Sequence, residues 1–310
     1  MRPRLLLGPV LIAALVGLIW LDERMDAIAL SGFWRDLFGG RETPPPGVPI
    51  FAACVLVAVL AARELAAIMA SNGIPASKRV VTFAAVAGLA VSCLVPSYWD
   101  SPLAVATVGT AAAGVLIASL AFYSRHRSVE GTVAAAGGAL LAFVYLGLMF
   151  GFVLAIRREH AAWVLLWFLL TTKACDIGAY FTGKAIGRHK LILWLSPGKT
   201  WEGLFGGIAL AAAVGALGLM ALRDGAGLAV PPIWTGAAGG VFFAVVGQLG
   251  DLVMSLFKRD AGLKDSSRIL PGFGGVLDVL DSPLLVAPAA YWWLHWVTER
   301  GAFHVGGAPG

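Results

Sequence analysis

Asp278 and Asp281 stand three residues apart in "LPGFGGVLDVLDS", where a glycine-rich stretch runs into the apolar "PLLVAPAAYWWLHWV". On a helix, positions i and i+3 share one face. Two acids in a helix's first turn cap its amide groups and complement its dipole, or they bind a hard cation. Upstream, "VVGQLGDLVMSLFKRDAGLKDSSR" sets Gln248, Asp251, Ser255 and Lys258 at i, i+3, i+7 and i+10, one polar stripe. Facing lipid, such a stripe would be expelled, so it must face protein or a water-filled cavity. Its Asp251 and Ser255 are oxygen donors of the kind a hard cation takes. In "LLTTKACDIGAYFTGKAIGRHKL", Lys173 and Asp176 are again three apart and able to pair. They mark a functional site or a salt bridge holding two helices together.

The stretch "GKAIGRHKLILWLSPGKTWEGLFGG" contains Gly198-Lys199-Thr200, the end of a phosphate-binding P-loop. That motif needs a glycine five residues before Gly198, and the position is Leu193, with no strand ahead of it. The P-loop reading fails. What survives is a loop with Lys184, Arg188, His189, Lys190 and Lys199 among glycines that expose backbone N–H groups, suited to several phosphates. Ordinary loop charge on a membrane protein is the plainer alternative. Four acids (Asp176, Asp251, Asp278, Asp281) flanked by these cations form the composition needed to hold a divalent metal and a polyphosphate.

The elements that carry these residues are membrane spans. Of 310 residues, 59% are apolar and 13% charged, with a mean hydropathy of +0.82. A soluble domain carries about 25% charged residues, so the fold class is an all-α polytopic membrane protein. About 20 apolar residues cross a bilayer as helix, and nine windows qualify: about 5–21, 48–69, 80–97, 103–123, 132–155, 162–182, 203–222, 232–256 and 279–298. The first reads as an uncleaved span, since no small-x-small cleavage site follows it. With the N-terminus inside, fifteen Lys and Arg (Arg127 among them) fall on one side and seven (Arg300 among them) on the other. Lys173 lies within a span. This asymmetry gives N-in, C-out. Cys54, Cys93 and Cys175 lie in apolar runs without CxxC spacing and read as core residues.

The spans divide by character. Residues 1–131 carry helices 1–4, bland Ala/Leu/Val segments, with an interfacial helix or simple loop near 25–38. Residues 132–310 carry helices 5–9, where the polar residues concentrate, and are the expected catalytic part. No strand alternation is visible.

At these residues the chain resembles the integral-membrane phosphatidate cytidylyltransferases (CDP-diacylglycerol synthases). Their signature runs S-x-x-K-R-x4-K-D, a short gap, then P-x-H-G-G-x-x-D-R. Here Ser255, Lys258, Arg259, Lys264, Asp265, Pro271, Gly274, Gly275 and Asp278 match in order. "DIGAYFTGKAIGRHKL", "SPGKTWEG", "GQLGDL" and the "REH" ending at His160 are similar to further family blocks, over roughly residues 145–282. Three positions depart: the family histidine is Phe273, the Arg or Gln after the aspartate is Val279, and the commonest Lys before Lys199 is Gly198.

The resemblance implies transfer of a cytidylyl group from CTP to phosphatidate, giving CDP-diacylglycerol and pyrophosphate at the cytoplasmic face of the inner (cytoplasmic) membrane. It also implies Mg²⁺, with a second, monovalent cation open, and a homodimer; no nucleic acid is expected. Asp251 and Asp278 are the expected metal ligands, with Asp281 and Ser255 in support. Lys258, Arg259, Lys264, Lys184, Arg188 and Lys199 are the expected phosphate contacts, beside Gly274 and Gly275, and Asp176 is a site residue. Rival readings are a CTP-dependent lipid-alcohol kinase, another lipid cytidylyltransferase, and an ion-coupled transporter. A transporter needs polar groups to mid-membrane depth; here they crowd towards one face.

Overall fold

A computed structural model describes residues 2–94, 101–125 and 129–299. The end of the third apolar window (95–97), Arg127 and Arg300 lie outside the described residues. Among the described residues eleven α-helices follow in order: α1 (Arg2–Met25), α2 (Phe33–Leu37), α3 (Val48–Ser71), α4 (Lys78–Leu94), α5 (Ser101–Ser124), α6 (Thr132–Ala142), α7 (Met149–Glu159), α8 (Ala162–Ile186), α9 (Trp201–Ala226), α10 (Ile233–Asp260) and α11 (Val276–Glu299). A π-helical segment, Phe143–Leu148, joins α6 to α7. Among the described residues six helices are long and apolar enough to cross a membrane: α3, α5, the continuous 132–159 helix, α8, α9 and α10. The remaining three apolar windows fall on α1, α4 and α11. The chain is thus a helical, multi-pass membrane protein. Helix is the required solution, because backbone amides in lipid must be paired within the segment.

The stretch near 25–38 holds a short helix, α2, with Phe33, Trp34 and Leu37 exposed. A two-stranded antiparallel hairpin, β1 (Lys190–Ile192) and β2 (Ser196–Thr200), lies between α8 and α9. The sequence shows no alternation there because three- and five-residue strands are too short to display a period. Its tip exposes Leu193 and Trp194.

Two compact units emerge. The first comprises Met1–Ala52, Val153–Leu252 and Leu285–Gly310. Its centre is a seam between α8 and α9 built on glycine. A Cβ added at Gly178 would lie 2.8 Å from the Gly206 carbonyl oxygen and 3.0 Å from Gly207 Cα, so the two backbones touch. Small residues permit such approach, and within lipid close backbone packing replaces the hydrophobic effect as the source of helix association. Helix α9 starts cleanly: the Thr200 hydroxyl accepts from Gly203 N–H at 3.1 Å, a side-chain N-cap. It stops at Gly227, whose left-handed φ of 65° ends the helix. The same unit buries Arg157 (α7) between Asp22 and Asp26 of the α1 end, and Glu23 accepts from Ala162 N–H at the start of α8, at 2.7 Å. The second unit comprises Ala53–Phe152 and Val253–Leu284. There α4 meets the π-helical segment through Gly88 and Gly147, again too close for a side chain.

Candidate active site

Within the first unit a cavity of about 370 Å³ is lined by Asp176 and Tyr180 of α8, Lys199 and Thr200 of β2, and Gln248 and Asp251 of α10. Each element has a reason to be there. The glycine seam fixes α8 against α9, and the Thr200 cap ties the end of β2 to the first turn of α9. Lys199, one residue earlier, is thereby placed over the α8 face. Its Nζ lies 2.7 Å from Asp251 Oδ2, with the lysine 15% and the aspartate 28% exposed. The Lys199 ammonium is itself buried, and Asp251 is its ion-pair partner. Lys173 Nζ donates to Asp176 Oδ2 at 2.9 Å, the pairing that their spacing requires. Glu202 accepts from His189 N at 3.2 Å and lies 2.6 Å from its Nδ1, which braces the hairpin against α9. Of the expected phosphate contacts, Lys184 and Arg188 are exposed and do not line this cavity.

Within the second unit the centre is Asp278. Its Oδ1 accepts from Lys258 Nζ at 2.6 Å. Its Oδ2 accepts from Ser266 N at 2.8 Å, Ser266 Oγ at 2.9 Å and Gly275 N at 2.9 Å. One oxygen is therefore saturated by the loop, and the other is presented to a cation. The loop can wrap the carboxylate because it turns tightly. Gly272 and Gly274 have φ of 85° and 91°, and Leu270 N–H donates to the Gly274 carbonyl at 2.9 Å. A Cβ at Gly274 would sit 2.5 Å from Asp278 Oδ2, so the glycine-rich motif is a steric necessity. Phe273 is half-buried on this turn and Val279 half-buried on α11. Arg259 is exposed and donates Nη1 to the Leu263 carbonyl at 3.2 Å, while Lys264 is exposed on the loop. Ser255 is half-buried on α10. Asp281 is buried, and its Oδ1 accepts from Ser282 N–H at 2.7 Å.

Sequence reasoning missed Glu64 of α3. It is 3% exposed, and four groups from the stretch 266–277 donate to it. The signal was available: an acid inside the apolar window 48–69 is costly unless it has partners. Nothing in the sequence names those partners, which lie about 200 residues away.

Charge and donor type determine what the arrangement can do. Asp251 and Asp278 each hold a lysine rather than a second acid, and among the described residues no three His, Cys, Asp or Glu converge as a preformed metal centre. The donors are carboxylate and hydroxyl oxygens, the set a hard divalent cation takes and a soft metal does not. On donor chemistry, the residues fit Mg²⁺.

The chain is 38% identical over 160 residues to the phosphatidate cytidylyltransferase of Bacillus subtilis (strain 168), covering 51% of this chain and 58% of that protein. It is 41% identical over 149 residues to the enzyme of the same name from Staphylococcus epidermidis (strain ATCC 12228 / FDA PCI 1200), covering 48% and 55%. With that of Haemophilus influenzae the figure is 37% over 150 residues, covering 44% and 49%. The chain thus matches about half the length of these relatives. The family's sequence model extends further, over residues 44–297, and the chain belongs to the cytidylyltransferase family.

Proposed function

We propose that the chain is a phosphatidate cytidylyltransferase. The observation that carries this reading is Asp278, locked by three loop donors on one oxygen and offering the other to a cation, within a motif that ends the family's signature. A lipid phosphate oxygen attacks the α-phosphorus of CTP, a new P–O bond forms, and the bond to the bridging α–β oxygen breaks to release pyrophosphate. Phosphatidate is already an anion at neutral pH, so no general base is needed, and Phe273 in the histidine position is compatible with turnover. The barrier lies in bringing two polyanions together. Lys199 and Lys258 exchange their carboxylates for phosphate oxygens, and Arg259, Lys264, Lys184 and Arg188 add cationic charge for the substrates. Asp251 and Asp278, with Asp281 and Ser255 in support, are the ligands we assign to Mg²⁺, and a monovalent second cation is compatible with the same donors. The bound ion would neutralise charge on the leaving group.

The full arrangement we propose has nine spans, N-in and C-out, in the cytoplasmic membrane, with residues 132–310 as the catalytic part and a homodimer as the assembly. Supplying purified chain in detergent with Mg²⁺, labelled CTP and phosphatidate tests the reading. CDP-diacylglycerol and pyrophosphate should appear in equal amounts, whereas a lipid kinase would release CDP. No product under conditions where a family member turns over would sink the assignment.

A further inference from the structure

We infer that Glu64 is a positioning residue for the Asp278 loop, an inference that rests on the function proposed above. Glu64 Oε1 accepts from Ser267 Oγ at 2.6 Å and Val276 N at 2.9 Å. Its Oε2 accepts from Ser266 Oγ at 2.9 Å and Leu277 N at 2.9 Å. All four partners donate, which suits a carboxylate acting as acceptor only. One buried anion on α3 thus ties together the loop after α10 and the first amides of α11. The amides of a helix's first turn lack partners of their own and favour an anion. Gly275 completes the fit, because a Cβ there would collide with both Ser266 Oγ and Glu64 Oε2.

The link to Asp278 runs through Ser266. Its hydroxyl lies 2.9 Å from Glu64 Oε2 and 2.9 Å from Asp278 Oδ2, yet it has one proton to give. The two acids compete for it, and the backbone N–H of Ser266 stays on Asp278 throughout. Glu64 therefore sets both where the loop stands and how fully the inner oxygen of Asp278 is satisfied. That in turn fixes the direction in which Oδ1 is offered. Outer partners of this kind orient a ligand without touching what it binds.

The substitution Glu64→Gln keeps the shape but turns two acceptor positions into N–H donors facing N–H and O–H donors. In detergent-purified protein it should raise the Mg²⁺ concentration for half-maximal CDP-diacylglycerol formation by about 10- to 100-fold. Trypsin cleavage after the exposed Lys264 and Arg268 should quicken by about 10-fold, measured without substrate or metal. A purely structural role would instead lower the melting temperature and the active fraction, and leave the Mg²⁺ midpoint at the wild-type value. A wild-type midpoint together with wild-type loop cleavage overturns the inference. If Glu64→Gln does not survive purification, Ser267→Ala removes one of the four bonds. It should move both readouts the same way by about 3-fold, and unchanged values overturn the inference. If the wild-type chain makes no CDP-diacylglycerol, the functional reading fails, and the trypsin comparison still decides the role of Glu64.

Discussion

The cavity of the first unit and the loop of the second hold the same kind of pair, an aspartate with a lysine, and hold it differently. At Asp251 the lysine arrives on a short hairpin, and the aspartate of the pair is 28% exposed. At Asp278 the pair is more buried, at 13% and 9% exposed, and three loop groups pin the carboxylate from behind. The first pair joins a hairpin side chain to a helix side chain across the cavity lining. The second is preorganised, so its geometry is set before any ligand arrives. The loop thereby fixes the direction in which Asp278 Oδ1 is offered.

The largest effect should come from breaking the preorganised side. Asp278→Asn should lower CDP-diacylglycerol formation by more than about 100-fold, beyond what outer-sphere partners cost, with the protein still monodisperse by size exclusion. Retained turnover would remove Asp278 from the metal. On the hairpin side, Lys199→Met should raise KM for CTP by about 10-fold with a smaller change in kcat, the loss of one charged contact. An equal loss at both positions would erase the contrast.

A third test separates the units by pH. His160, between α7 and α8 in the first unit, is buried, and burial pushes its pKa down to about 4. The unfolded chain then binds a proton near pH 6.5 that the folded chain refuses. Stability should hold above about pH 6.5 and fall on acidification towards pH 4, by on the order of 1 kcal/mol per unit. His160→Leu should flatten that slope in a melting series, and an unchanged slope assigns it elsewhere. The smallest effect is expected at Phe273→His. The side chain is only half-buried on the turn and no base is required, so kcat should change by less than about 3-fold, within one hydrogen bond.

Much of this was legible in the chain. Apolar windows located the helices because lipid leaves the backbone no other choice. The i, i+3 spacing of Lys173 with Asp176 carried their pairing, since helix geometry acts over a few residues. What escaped was long-range. Glu64 meets its serines across about 200 residues, and Arg157 meets Asp22 and Asp26 across about 130. No local period encodes such encounters. The hairpin at Lys190–Thr200 escaped for the opposite reason, being too brief to leave a pattern.

The glycine seam between α8 and α9 has a consequence for how this part of the molecule tolerates change. Where side chains fill a helix interface, evolution can trade a larger residue on one side for a smaller one opposite. Where backbone rests on backbone, as at Gly178 against the Gly206 carbonyl, shrinking the neighbouring Leu210 would still leave that carbonyl oxygen 2.8 Å from an added Cβ. A single methyl group at Gly178 would wedge α8 from α9, two of the helices that line the cavity of Asp176. Change at Gly178 therefore has to move backbone as well as side chains.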